Sequence, residues 1–189
     1  MLGMIDALIS SKTRIKLLLK FFLNSNATAY LRNLESEFGE SSNGIRVELN
    51  RLENAGLLLS DSEGNKKIFR ANTSHPLFQE IHNIVLKHLG LDQVIENVIQ
   101  RLGDVQRVYL VGDFSKGMDS PVIDLVFVGD YDTSYLTTLV EKAEKIVGRK
   151  IRYLLYSIEE AETMDWKQFD PVPLLLWDRK HDAIKNSRV

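Results

Sequence analysis

No cysteine occurs anywhere in the 189 residues, so neither a disulfide framework nor a thiolate metal site is available. Histidine is scarce as well. The four, at 75, 82, 88 and 181, form no HxH or HExxH pattern, and the six-residue step from His82 to His88 suits no helical face. Long apolar runs are missing too. The longest, Ile15 to Leu23, is interrupted by Lys16 and Lys20, far short of the ~20 residues that span a bilayer. The N-terminus lacks the basic, apolar, small-residue order of a signal peptide, so the expected location is the cytoplasm, away from membranes. No internal repeat or low-complexity linker is present. Neither sign of charge dominates: 24 basic and 26 acidic side chains leave a formal net charge of −2. That balance is uneven along the chain. Residues 1–75 hold 10 Lys+Arg against 8 Asp+Glu, and residues 76–189 hold 14 against 18. The first part is therefore the better candidate for a polyanionic partner.

What is present is periodicity. Leu8, Ile15, Leu18, Leu19 and Phe22 recur at three- and four-residue steps and predict a helix over 4–23. "YLRNLESEFG" (30–39) predicts a short amphipathic helix stopped by Gly39. "ESSNGIRVELNRLENAGLL" (40–58) predicts another, capped by Ser41 or Ser42, with Ile45, Leu49 and Leu52 inward and Gly56 at its end. "LLLSDSEGNKKIFRAN" (57–72) reads as a hairpin with arms Leu57–Ser60 and Lys67–Ala71 about the tip "SEGN". Two short helices, a tight turn and a hairpin describe a winged helix-turn-helix. In that arrangement Asn43, Arg46, Val47, Asn50 and Arg51 face outward on the second helix, where Arg suits guanine, Asn adenine and Val a thymine methyl. Ser41 and Ser42 at its N-terminus, and Lys66, Lys67 and Arg70 on the hairpin, are placed for phosphate.

Residues 11–78 also resemble winged-helix transcriptional regulators of the ArsR/MarR type, most closely in "GNKKIFRAN" followed by "HPLF". The resemblance implies sequence-specific binding of double-stranded DNA. The metal sensing of some members does not carry over, because their Cys or His clusters have no counterpart here.

Residues 75–103 predict helices broken at Gly90, with a stripe of nine large aliphatics between 77 and 99. That is more than one small domain face needs, and it points to packing between domains or to a homodimer. From about 106 the pattern is α/β: strands at 107–112, 122–129, 150–157 and 173–178, helices at 134–148 and 158–164, then a polar tail. Within it, "VGDFSKGMDSPVIDLVFVGD" (111–130) sets a glycine turn, Gly112 to Gly117, before a strand carrying Asp124.

This stretch resembles the minimal nucleotidyltransferases of the DNA polymerase β superfamily, in which a Gly-Ser turn cradles a triphosphate and an Asp-x-Asp strand binds Mg²⁺. Gly112, Gly117 and Asp124 match that pattern. Asp113 stands in place of the serine, Val122 in place of the first metal-binding aspartate, and Arg152 and Leu154 where a third carboxylate is expected. One carboxylate does not hold the metals of phosphoryl transfer. The expectation is a non-enzymatic domain with no cofactor. Asp124 is left with three readings: a structural acceptor for the Gly112–Gly117 amides, half of a nucleotide or small-molecule site with Gly112, Asp113 and Gly117, or a catalytic group.

The expected class is thus α+β. A winged helix-turn-helix covers 1–75, linking or dimerisation helices 76–103, a degenerate nucleotidyltransferase-like mixed-sheet domain 104–180 and a tail 181–189. The expected function is transcriptional regulation through DNA. The alternatives are an active nucleotidyltransferase with an unusual site and an antitoxin-like protein-binding module.

Overall fold

The Ser11 hydroxyl accepts a hydrogen bond from the Arg14 amide at 3.2 Å, and this cap starts the first described helix, α1 (Lys12–Leu18). The computed structural model describes residues 9–130 and 132–180. The helix expected over 4–23 is therefore corrected at its start, since residues 9–11 are not helical, and positions 4–8 lie outside the described residues. Beyond Leu18 the chain widens into a π-helical segment, Leu19–Leu23, which buries Leu19, Phe21, Phe22 and Leu23.

Next come β1 (Thr28–Tyr30), α2 (Leu31–Phe38), α3 (Ser42–Asn54), β2 (Leu58–Glu63) and β3 (Lys66–Ala71). The three strands form an antiparallel sheet in the order β1-β3-β2. β1 is a strand that the periodicity does not predict. It exists by pairing Thr28 with Arg70 and Tyr30 with Ile68. The hairpin arms run longer than expected, so the turn shrinks to Gly64-Asn65, with Gly64 at φ 59 in the position that favours glycine. Leu34, Ile45, Leu49, Leu52, Leu58 and Phe69 close the core under the helices and sheet. The order of two helices and then a hairpin, the wing of the expected arrangement, is present.

After α4 (Phe78–Leu89) come α5 (Leu91–Val94), a second π-helical segment Ile95–Ile99, and α6 (Gln100–Leu102). The described chain forms two compact units. Residues through His88, with Lys116–Asp119, make the first; Leu89–Ser115 and the residues from Ser120 onward make the second. The helices of 76–103 thus divide between the units. Val85, Leu91, Val94, Val98 and Ile99 of the aliphatic stripe are buried within the chain. Leu77 and Ile84 remain exposed.

The second unit holds β4 (Val105–Val111), the short α7 (Gly112–Ser115), β5 (Val122–Gly129), α8 (Thr133–Val147), β6 (Lys150–Tyr156), α9 (Ile158–Thr163) and β7 (Leu174–Asp178). Its sheet runs β6-β5-β4-β7, with β5 and β6 parallel and the other pairs antiparallel. The parallel pair needs a crossover, and α8 supplies it, capped by Asp132, which accepts from the Ser134 and Tyr135 amides. The architecture is α+β with two sheets. Among the described residues, no helix is long and apolar enough to cross a membrane.

Candidate functional site

In the first unit, α3 presents two faces. Ile45, Leu49 and Leu52 are buried, while Asn43, Arg46, Val47, Asn50 and Arg51 are exposed. A cleft of about 490 Å³ opens between α2, α3 and the wing, lined among others by Arg32, Ser42, Arg46, Asn50, Lys66 and Lys67. Of the residues singled out from sequence, the cleft gathers Ser42, Arg46, Asn50, Lys66 and Lys67. Ser41, Asn43, Val47, Arg51, Arg70 lie outside its lining. Ser41 is occupied as the helix cap, accepting from the Gly44 amide at 3.4 Å.

The cations of this surface divide into two sets. Arg51 Nη1 lies 3.1 Å from Glu48 Oε1, Lys67 Nζ 2.7 Å from Glu53 Oε2, and Arg70 Nε 3.2 Å from Asp61 Oδ2. These three are held by carboxylates of their own chain. Arg32, Arg46 and Lys66 are exposed and form no ion pair among the described residues; Lys66 lies over the Tyr30 ring, 5.9 Å from its centroid. Sequence reasoning missed Arg32. Its signal was position: on α2 it sits between the inward Leu31 and Leu34, and so faces out.

Two networks fix this surface. Glu48 is buried on α3, with a side chain only 8% exposed, and takes Arg14 Nε at 2.8 Å as well as Arg51. Burial alone would raise the Glu48 carboxyl, but hydrogen bonds from Arg14 and Ser11 and the charges of Arg14 and Arg51 outweigh it and hold it below its ordinary value. Glu53, at the end of α3, takes Lys67 and the Ser60 hydroxyl from both arms of the wing. Those hydrogen bonds lower its pKa.

In the second unit, the register sets Asp124 of β5 between Val111 of β4 and Arg152 of β6. Arg152 grips the carboxylate with both ends of its guanidinium: Nε to Oδ1 at 2.6 Å and Nη2 to Oδ2 at 2.9 Å. The Asp124 hydrogen bond and charge, joined by the charge of Asp113, raise the Arg152 pKa. The position expected to carry a third carboxylate thus holds a cation that already neutralises the one carboxylate present. Both Asp124 oxygens accept from Arg152, a partner that the reading of Asp124 as an acceptor for the Gly112–Gly117 amides did not include. Val122, two residues earlier on the same sheet face, pairs with Lys150.

The two glycines answer separate constraints. Gly112, at φ 65, has Asp124 Oδ2 only 2.8 Å from where a Cβ would stand. Gly117, at φ 75, belongs to the first unit, and a Cβ there would stand 2.6 Å from the backbone of Lys20. Asp113 is exposed. Among the described residues, no group of three or more His, Cys, Asp or Glu side chains is placed to hold a metal ion.

No family model matches the chain, and no curated protein matches it. Two solved structures show a distant likeness. One is a protein of Archaeoglobus fulgidus, 18% identical, with a TM-score of 0.35, covering 42% of this chain and 91% of that one. The other is a tri-AMPylated Shewanella oneidensis HEPN toxin in complex with MNT antitoxin, 16% identical, with a TM-score of 0.34, covering 50% of this chain and 75% of that one. At those scores neither likeness carries weight for any function of this chain.

Proposed function

We propose that the first unit binds double-stranded DNA, with α3 in the major groove and the wing against the backbone, as a transcriptional regulator would. One observation carries this reading. Arg32, Arg46 and Lys66, three exposed cations without ion pairs among the described residues, stand around a single cleft that Asn50 also lines. Free cations at a groove-sized opening supply the counterion-release energy of DNA binding, and Arg and Asn on a helix are the side chains that read guanine and adenine edges. A homodimer on a palindromic site fits the reading, with Leu77, just before α4, and Ile84 on it as the exposed apolar residues left for it.

The second unit is, in this proposal, a binding module without catalysis. The Asp124–Arg152 pair and Val122 leave no carboxylate pair to hold Mg²⁺. An interaction protein of antitoxin type is the second reading, favoured by the exposed apolar residues of this unit, Leu154 and Leu175 among them.

Selection of bound sequences from a random duplex pool tests the DNA reading. The expected result is an enriched site whose preference relaxes at one base position, with a loss of ~1–3 kcal/mol, in Arg46→Ala or Asn50→Ala. A pool that yields no enriched site at moderate salt overturns it.

A further inference from the structure

The second unit carries an acidic, apolar surface that neither DNA binding nor phosphate chemistry uses. Across its sheet, Leu154 of β6 pairs with Val126 of β5, Val126 with Tyr109 of β4, and Tyr109 with Leu175 of β7. The four therefore form one row on one face. Its centre is covered by Trp166, whose ring lies 4.6 Å from that of Tyr109 and stacks at 6.0 Å on Phe169. Its two ends are open: Leu154 is 49% exposed and Leu175 48%, with Ile158 at 42% and Val172 at 59% in the segments that flank the strands. Single exposed aliphatics are ordinary; four that bracket a half-buried Trp-Phe pair are the composition of an interface core.

The segment over the row is acidic, while the face itself carries Arg107, which donates to the Tyr109 hydroxyl, and Arg152, which Asp124 holds. Residues 158–170 carry Glu159, Glu160, Glu162, Asp165 and Asp170 against Lys167 alone, all exposed, and among the described residues none of the five carboxylates is in an ion pair. That segment repels a nucleic acid and an anionic membrane. It also disfavours a second copy of the chain, because a two-fold interface sets the same patch against itself and would bring like carboxylates together.

We infer that this face is a docking surface for a cationic amphipathic segment of another protein, which places apolar anchors on Leu154 and Leu175 and lysines or arginines on the 158–170 carboxylates. The dimensions suit a helix. Strands lie about 4.8 Å apart, so three intervals separate the two leucines by about 14 Å, close to three helical turns. The inference extends the reading of the second unit as a binding module and stands whether or not the first unit binds DNA.

The test uses the full chain and an 18-residue helical peptide with leucine along one face and lysine along the other. A counterpart with glutamate for lysine is the control. Backbone amide shifts and Trp166 fluorescence are followed during titration. The lysine peptide should perturb residues of β6, α9 and β7 and shift the tryptophan emission, with binding that weakens as salt rises. Leu154→Asp should weaken it at least tenfold. Should that variant fail to keep the wild-type melting temperature, E159Q/E162Q, which removes two carboxylates outside any ion pair, should still weaken it several-fold and flatten its salt dependence. Equal binding of the glutamate peptide, a shift map centred elsewhere or no binding overturns the inference. So does a self-association that Leu154→Asp abolishes, since the face would then belong to a second copy. A duplex-binding measurement on the same variants keeps failure here separate from failure of the DNA reading.

Discussion

Asp124 and Gly112 are locked to each other, and their substitutions should separate two roles that look alike in sequence. Gly112→Ala adds a Cβ into the 2.8 Å approach of Asp124 Oδ2 at a positive φ, and nothing but a shift of that carboxylate relieves it. The expected cost is ~1–3 kcal/mol, read as a lower denaturation midpoint. Asp124→Ala removes a pair whose arginine is 72% exposed, so water takes over much of the lost interaction and the cost should be smaller than that of Gly112→Ala. A larger loss for Asp124→Ala than for Gly112→Ala would show that the carboxylate supports the turn after all. Val122→Asp should not create nucleotidyl transfer in an assay with labelled nucleoside triphosphates and Mg²⁺, because Arg152 still occupies Asp124. Transfer that Asp124→Ala then abolishes in a folded protein would overturn the non-catalytic reading.

At the scale of elements, Glu48 and Glu53 tie α3 to α1 and to the wing. Both carboxylates sit below their ordinary pKa in the folded chain, so each adds stability that is complete above the unfolded glutamate value, about 4.3, and is lost as pH falls through the lower folded value. Acid titration from pH 5 to pH 2 should therefore loosen the first unit, with amide exchange rising in α3 and β3, and Glu48→Gln should flatten that dependence. Glu53→Gln should act differently. It frees Lys67 for phosphate, so the salt slope of DNA binding should steepen by about 0.9, while preference for the selected site falls because the wing is no longer tied to α3. An unchanged slope would place Lys67 off the DNA. These elements show what the sequence made readable. Ser41, Gly64 and the 45-49-52 spacing marked helix and hairpin locally, since caps, turns and periodicity are local. β1 escaped because three residues of "NSNATAY" become a strand only by pairing with β3. Lys67 and Arg70 looked free because their carboxylates lie 14 and 9 residues away and meet them only once the wing folds onto α3 and onto itself. Arg152 could be placed near the third-carboxylate position, but its grip on Asp124 depends on the β5–β6 register.

For the whole molecule, the sequence showed an excess of base in the first part and of acid in the second, and the fold concentrates each. The aliphatic stripe left packing between domains and a homodimer both open, because periodicity reports that a helix has an apolar face but not what covers it; Val85, Leu91, Val94, Val98 and Ile99 are covered inside the chain. The count of free cations turns this into a measurement. If Arg32 and Lys66 neutralise phosphates and Arg46 displaces one further counterion from the base edge it reads, each chain releases about three counterions, and the slope of log affinity against log salt should be about −2.7 for one chain on a half-site. Two chains on a palindrome should give about −5.4. Sedimentation of the complex supplies the stoichiometry independently, so slope and mass must agree. A single chain with a slope near −5 would mean that Arg51, Lys67 and Arg70 leave Glu48, Glu53 and Asp61 on binding, and the cleft would then be one part of a wider contact surface. Two chains with a slope near −2.7 would mean that only one of them grips the duplex, which no two-fold arrangement of this helix and wing allows.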